Sequence, residues 1–526
     1  MAAVDLTING LEVTQAIQDA ANSVPLVADR ATFVRVFAQT NGGGGDSAVV
    51  SASATQNGQP LGAITIANAL ISAAPTRADA ASTINLTLPM TWTTGTINLT
   101  VQVDATNAIA ESNEANNSFT MALTFNVMPP FHAVLVPINY TDNDGAFYPA
   151  PTEDTVSGST MDLYPLSSFD VVMRAPHDFA GNLRQEADWQ QLAVEINGLK
   201  TADGAPDSTY YYGVVPVENA NGRWFTSGVA GISAVGKRFG AGLTGSPLTA
   251  THEFGHGFGL SHAPCGVNGS QDYPYPGASI GEYGFDANGE VKEPNKYKDI
   301  MSYCSPKWVS DYTYKIIYED QLANGQTTVA ASQQVLLVRA LLVNGVATMA
   351  PSYSLWTAPK AFNGPSTYAV EIIGTEGQTI GRYWARAVNL ESSGLNAPTA
   401  QSDTVSTLIE AIIPAPALPM ASIRLLHNNG LLIAQSLSDR ANWSNQVQLT
   451  VSKVGEEIQV AWTMSGIPTT VRFSPNNGAS WITLAVDNTS GALNLDPKLL
   501  PQDGVGRYQI IPSNSTTPVF FEASYP

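Results

Sequence analysis

The sequence predicts a multidomain protein in which an α/β unit is flanked by β-sandwich units. Three observations carry that prediction. The chain has 526 residues, room for three or four domains at about 100–200 residues each. Its two ends alternate apolar and polar residues in short runs broken by turn residues, the pattern of half-buried strands. Its middle carries a helical stretch over 181–200, with Leu183, Trp189, Leu192, Ala193, Ile196 and Leu199 near 3.6 spacing.

Composition narrows the class. Hydrophobic residues make up 44%, so packed cores are affordable and a disordered chain is excluded. No run approaches the ~18 uninterrupted apolar residues of a membrane helix; 335–343 is cut by Arg339, and 408–420 by Glu410 and three prolines. With 24 Lys+Arg against 44 Asp+Glu the net charge is -20, too poor in cations for nucleic acid. Charged residues total only 13%, and 44 Gly with 33 Pro indicate turn-rich β structure of the kind often secreted. A signal peptide is not seen at Met1–Asp5, which leaves a cytosolic protein or a mature chain whose leader has been removed.

The elements follow in order. Residues 1–128 read as a β-sandwich, with alternating runs such as 32–37 and 97–103 separated by Gly- and Asn-rich turns. Its last hairpin, Val103-Asp104-Ala105-Thr106-Asn107 through Asn116-Asn117, resembles the bacterial CARDB-type immunoglobulin-like domain. Its Asn and Asp residues read as turn builders, with calcium or ligand binding the alternative. After the linker Met128-Pro129-Pro130, residues 129–325 mix strands (131–138, 210–217, 228–235) with helices (181–200 and one from Pro247). β texture returns over 326–442, with strands at 335–343, 368–373 and 381–388 and a Pro-rich loop at 411–419. A C-terminal β-sandwich over 443–526 has runs at 446–451, 457–463, 470–473 and 481–486. Ser474–Trp481 resembles the Asp-box hairpin of sialidases, but a plain Asn-Gly turn accounts for it better.

The chemistry is concentrated in Thr251-His252-Glu253-Phe254-Gly255-His256-Gly257-Phe258-Gly259-Leu260-Ser261-His262. On a helix His252 and His256 share one face and can grip one zinc ion. Glu253 can reach a zinc-bound water as general base. Ser246 suits the N-cap, Pro247 the first helical position, and Gly259 the left-handed residue that ends the helix. That turn returns His262 as third ligand, and three protein ligands leave a position for water, the mark of a catalytic site.

The full H-E-x-x-H-x-x-G-x-x-H pattern resembles the metzincin clan of zinc endopeptidases. Asp299-Ile300-Met301-Ser302-Tyr303 matches that clan's Met-turn. The resemblance implies that Met301 underlies the metal. It also implies that Tyr303 donates to the oxyanion of the tetrahedral intermediate, with a wall tyrosine as the alternative. Ala263 after the third histidine departs from the best-known families. The segments 262–265 and 303–313 look more like bacterial secreted, mucin-cleaving metzincins, from which a preference for O-glycosylated protein would follow. Both segments converge at the zinc in such a fold, so the resemblance implies a Cys265–Cys304 disulfide, with cysteine as zinc ligand the alternative. A disulfide implies an oxidising compartment. The strand at 228–235 corresponds to the edge strand with which metzincins pair an extended substrate.

Tyr273, Tyr275, Tyr283 and Phe285 could line a substrate wall or form the core of a loop. Asp286–Glu290 and Thr141–Gly145 begin like calcium loops, making Ca²⁺ a second candidate cofactor beside Zn²⁺; hairpin turns are the preferred reading. His132, His177 and His427 read as structural or surface residues. The expectation is a monomeric, secreted or cell-surface zinc endopeptidase acting on protein or mucin-type glycoprotein. The alternatives are a surface adhesin using a metalloprotease scaffold and a zinc hydrolase of a non-peptide amide.

Overall fold

The computed structural model describes residues 4–524, except 155, 157, 220–227, 327–330, 359–361, 363, 395–404, 417, 440–442, 444–446, 498–505 and 517–519. The chain forms two compact units, each assembled from separated segments.

One unit comprises residues 1–131, 158–170 and 260–326. Its sandwich sets a sheet of β1 (Leu6–Thr14), β2 (Phe33–Thr40) and β5 (Ile84–Thr87) together with one containing β3 (Asp46–Gln56), β4 (Gln59–Ile71), β6 (Gly95–Gln102) and β7 (Ser118–Asn126). Alternation drives this: in β6, Ile97, Leu99 and Val101 are buried while Asn98 and Gln102 face outward. They join Leu6, Val13, Val34, Val36, Val50 and Trp92 in one core. The 103–117 hairpin is built by its polar residues, as its sequence suggests. Asp104 adopts a positive φ and accepts the amides of Ala108 and Ile109, and Asn113 caps a 3-10 turn. Pro129 and Pro130 are held in place, because Gln321 donates to both of their carbonyls at 3.0 Å from the helix Asp311–Asn324.

The other unit comprises residues 132–157, 171–259 and 327–526. Its sheet is twelve-stranded among the described residues. β8 (Phe131–Asp142) runs parallel to β9 (His177–Gly181) and to β10 (Tyr210–Val215), and β10 parallel to β12 (Phe239–Leu243). Helix α1 (Glu186–Ala202) starts later than its periodicity suggests, because Gly181 ends β9 and residues 182–185 turn before it, with the Gln185 amide donating to the Asn182 carbonyl. It buries Trp189, Leu192, Ile196 and Leu199 in a core reaching from Val136 to Ile511.

β11 (Val229–Ala234) is antiparallel to β12 and precedes helix α2 (Pro247–Gly257). It is not an edge strand. β13 (Gln333–Val343), β14 (Arg386–Gly394) and β15 (Ser406–Pro414) extend the sheet beyond it, and β14 pairs directly with β11. Two other expectations change. Residues 411–414 belong to β15 rather than to a loop, because Ile412 and Ile413 pair with Leu337 and Leu336. The predicted strand over 381–388 is divided at buried Ala385: Thr379–Trp384 pairs with Tyr368–Gly374, whereas β14 starts at Arg386 in the larger sheet. In the C-terminal region a further core gathers Val460, Val471, Phe473, Leu484 and Tyr508. There Ser474–Ile482 is a hairpin loop, with Asn476 accepting the Ser480 amide. The run predicted from 446 begins outside the described residues; its strand is Leu449–Val454.

Candidate metal centre

Helix α2 is fixed to the sheet by aromatic packing. The Phe254 ring meets Tyr210 and Tyr212 edge-on, with centroids 4.7 and 5.1 Å apart. Tyr210 donates to the Glu253 carbonyl at 3.0 Å and is paired with Ser233, and burial pushes its phenol pKa well above the usual value. Ser246 occupies the N-cap position, but its hydroxyl pairs with Thr249 at 2.8 Å instead of capping an amide. Pro247 begins the helix as expected. Phe258 and Gly259 donate back into the last turn, and Gly259 takes φ 93°, the conformation glycine adopts without strain.

His252, Glu253 and His256 are fully sheltered from solvent or nearly so, and His262 is also buried. The imidazole ligand atoms of His252, His256 and His262 all lie within 4.8 Å of one another. Three buried imidazole nitrogens that close suit zinc, which favours nitrogen ligands at about 2.0–2.1 Å. The donor set fits the metal that the motif implies.

The groups around Glu253 include two that the sequence did not reveal. Gly231 of β11 passes so close that a Cβ there would stand 2.5 Å from Glu253 Oε1. Ser393 of β14 donates to the same oxygen at 2.5 Å. Glu391, two residues earlier, places Oε2 3.6 Å from His256 Nδ1. Nothing in the local sequence of 391–393 marks these residues; only the strand pairing shows them.

The segment around His262 is arranged by main-chain bonds and a disulfide. Ala263 N donates to the Met301 carbonyl and Tyr303 N to the Cys265 carbonyl, each at 3.0 Å. Cys265 and Cys304 are disulfide-bonded, which removes cysteine as a metal ligand. Met301 is buried, and Tyr303 sets its ring edge-on to His262 at 5.0 Å. Asp299 builds the turn that carries both: it accepts the amides of Met301 (2.7 Å) and Ser310 (2.9 Å) and is wholly buried. Burial raises its carboxyl pKa against the opposing pull of those bonds.

Between the cysteines the aromatics form a loop core. Tyr273 donates to the Ser279 carbonyl, Tyr275 to Asp311 at 2.6 Å, and buried Phe285 packs against Phe33 with centroids 5.7 Å apart. Tyr283 begins a strand paired with Gln18 and is covered by the Arg77 guanidinium. Asp286 and Asp142 each accept amides of their own turns, which makes both segments turns, and Lys292 pairs with Asp286. His177 bonds Glu195 at 2.8 Å and His427 stacks on Tyr368, so both serve structure.

The comparisons bear on this geometry. Residues 155–315 match the Peptidase M66 family, and the histidines and Glu253 fall inside that span. Residues 4–121 match the CARDB family. One segment of the chain thus matches the CARDB family and a later one matches a peptidase family. No curated protein matched. Among solved structures, the CARDB domain of a Pyrococcus furiosus protein, in complex with di-metal ions, is 19% identical over 24% of this chain and 96% of that one (TM-score 0.17). A β-1,2-glucanase from Parabacteroides distasonis is 12% identical over 37% and 28% (0.16), and a β-glucuronidase from Parabacteroides merdae 9% over 99% and 78% (0.15). At such scores these structures add nothing to the reading of the site.

Proposed function

We propose that the chain is a zinc endopeptidase of the metzincin type. The observation that carries it is the buried cluster of His252, His256 and His262 beside Glu253 within a Peptidase M66 match. The three histidines would hold zinc, which supplies Lewis acidity toward water and the scissile carbonyl. Glu253 takes the proton of the attacking water and delivers it to the leaving amine. Tyr303, whose ring lies beside His262, would donate to the substrate oxyanion as it forms. The Met301 turn supports the His262 segment from below, and the disulfide ties that segment to the turn.

The Cys265–Cys304 bond fits secretion or display at a cell surface. In this reading the substrate is protein, with mucin-type glycoprotein the preferred class, and the chain acts as a monomer. The deciding experiment compares zinc-loaded wild type with Glu253→Gln on a mucin-type glycoprotein before and after deglycosylation. Glu253→Gln should retain zinc and lose roughly 10²–10⁴-fold in turnover. Unchanged cleavage by this variant would refute the mechanism. A surface-adhesin reading is favoured by the CARDB match alone; zinc binding without cleavage of any protein or glycoprotein would select it.

A further inference from the structure

The strand that follows β11 in the sheet also reaches the groups of the candidate site. β14 pairs with β11 in the register Gly231↔Ser393, Ile232↔Ser392 and Ser233↔Glu391. Alternate residues of a strand share a face. Ser393 and Glu391 therefore point the same way, toward Glu253 and His256, while the intervening Ser392 donates instead to Glu186 at 3.0 Å. Both lie far outside the 155–315 segment that matches the peptidase family.

Each contact has a definite physical effect. A hydroxyl donating to Oε1 fixes the rotation of the Glu253 carboxylate, and Gly231 leaves the space in which it is held. Glu391, at 3.6 Å, is beyond hydrogen-bonding distance, but its carboxylate favours a proton on Nδ1 of His256, leaving Nε2 as the nitrogen that would bind a metal. We propose that Ser393 and Glu391 are positioning residues of the zinc centre, supplied by a strand outside the family-matched segment: Ser393 aims the general base and Glu391 aims one metal ligand. The inference rests on the peptidase reading of the site.

The test uses the full chain, with Ser393→Thr and Ser393→Val as a pair of equal shape that differ in the hydroxyl. Turnover and KM are measured on a protein substrate, zinc affinity by chelator competition, and thermal unfolding on the metal-free protein. The threonine variant should keep kcat near wild type, and the valine variant should lose about tenfold or more in kcat with KM and zinc affinity unchanged. Glu391→Ala should weaken zinc binding roughly 10–100-fold, the usual effect of removing such a partner, and Glu391→Gln, which keeps the shape but not the charge, should weaken it nearly as much. Metal-free unfolding should be the same in all four variants. Equal kcat for the threonine and valine variants overturns the role of Ser393, and zinc affinity unaltered in Glu391→Ala overturns that of Glu391. Glu253→Gln serves as the control for the underlying reading. Full turnover there refutes the peptidase itself, whereas its loss alongside an active Ser393→Val refutes this inference alone.

Discussion

A methyl group at residue 231 has nowhere to go. Its carbon would meet the Glu253 side chain at 2.5–2.9 Å, and Glu253 is itself fixed in a buried helix. Gly231→Ala should leave the three histidines in place and push the Glu253 carboxylate aside. A displacement near 1 Å costs on the order of 10²-fold in rate, so turnover should fall by that order while zinc content, read by atomic absorption, stays constant. Lys200 offers a residue-scale prediction about stability. Burial lowers its pKa from 10.5 to about 7, although its ammonium donates to the carbonyls of Asp207 and Arg238. Between those two values the unfolded chain holds more protons than the folded one, so this group's contribution to stability rises with pH across that window. Lys200→Met should abolish the rise, measured as the change in denaturation midpoint between pH 7 and pH 9. At this scale the cluster of His252, His256 and His262 with Glu253 was legible in the sequence because these residues sit in a fixed local spacing. Ser393 and Glu391 were not, because they meet Glu253 and His256 only through pairing with a strand about 160 residues away in the chain.

At the scale of elements, helix α2 and the turn carrying Met301 are specified locally. Pro247 opens the helix, Gly259 ends it, and Asp299 gathers the amides of the turn. The disulfide closes a segment 39 residues long between them. Replacing both cysteines by serine should cost roughly 2–4 kcal/mol, measured by chemical denaturation. The amides of Ala263 and Tyr303, which bond across that segment, should exchange faster with solvent. β11 was legible as a strand but not as an interior one. Its apolar run shows that it is buried, and burial alone does not tell whether a neighbour is a substrate or another strand of the same chain. The division at Ala385 was hidden for a similar reason: one alternating run serves two sheets, and periodicity cannot show where it changes partners.

For the whole molecule, the β texture of both ends and the helical middle were visible in hydrophobic period, yet the grouping of segments was not. The core containing Trp189 and Ile196 also contains Val388, Leu408, Val486 and Ile511. Arg339, buried in β13, donates to the Val194 carbonyl of α1 at 2.9 Å and to Asp487. A fragment ending at residue 326 would lose these partners and leave β11 without β14. It should be poorly soluble and show no cooperative unfolding transition for the 132–259 region, whereas the full chain should show one.

The register between β11 and β14 has a consequence for anyone exchanging the C-terminal region with that of a relative. Strand pairing that slips by one position still satisfies main-chain bonds but turns every side chain of β14 to the other face, taking Val388 and Leu390 out of the core. In either direction it would also move Glu391 away from His256, and in one direction it would put Gly394 where Ser393 now stands. Chimeras joined within 386–394 should therefore keep activity only where the junction preserves the count of residues from Arg386 to Ser393, so that an activity screen reads the register of this strand directly.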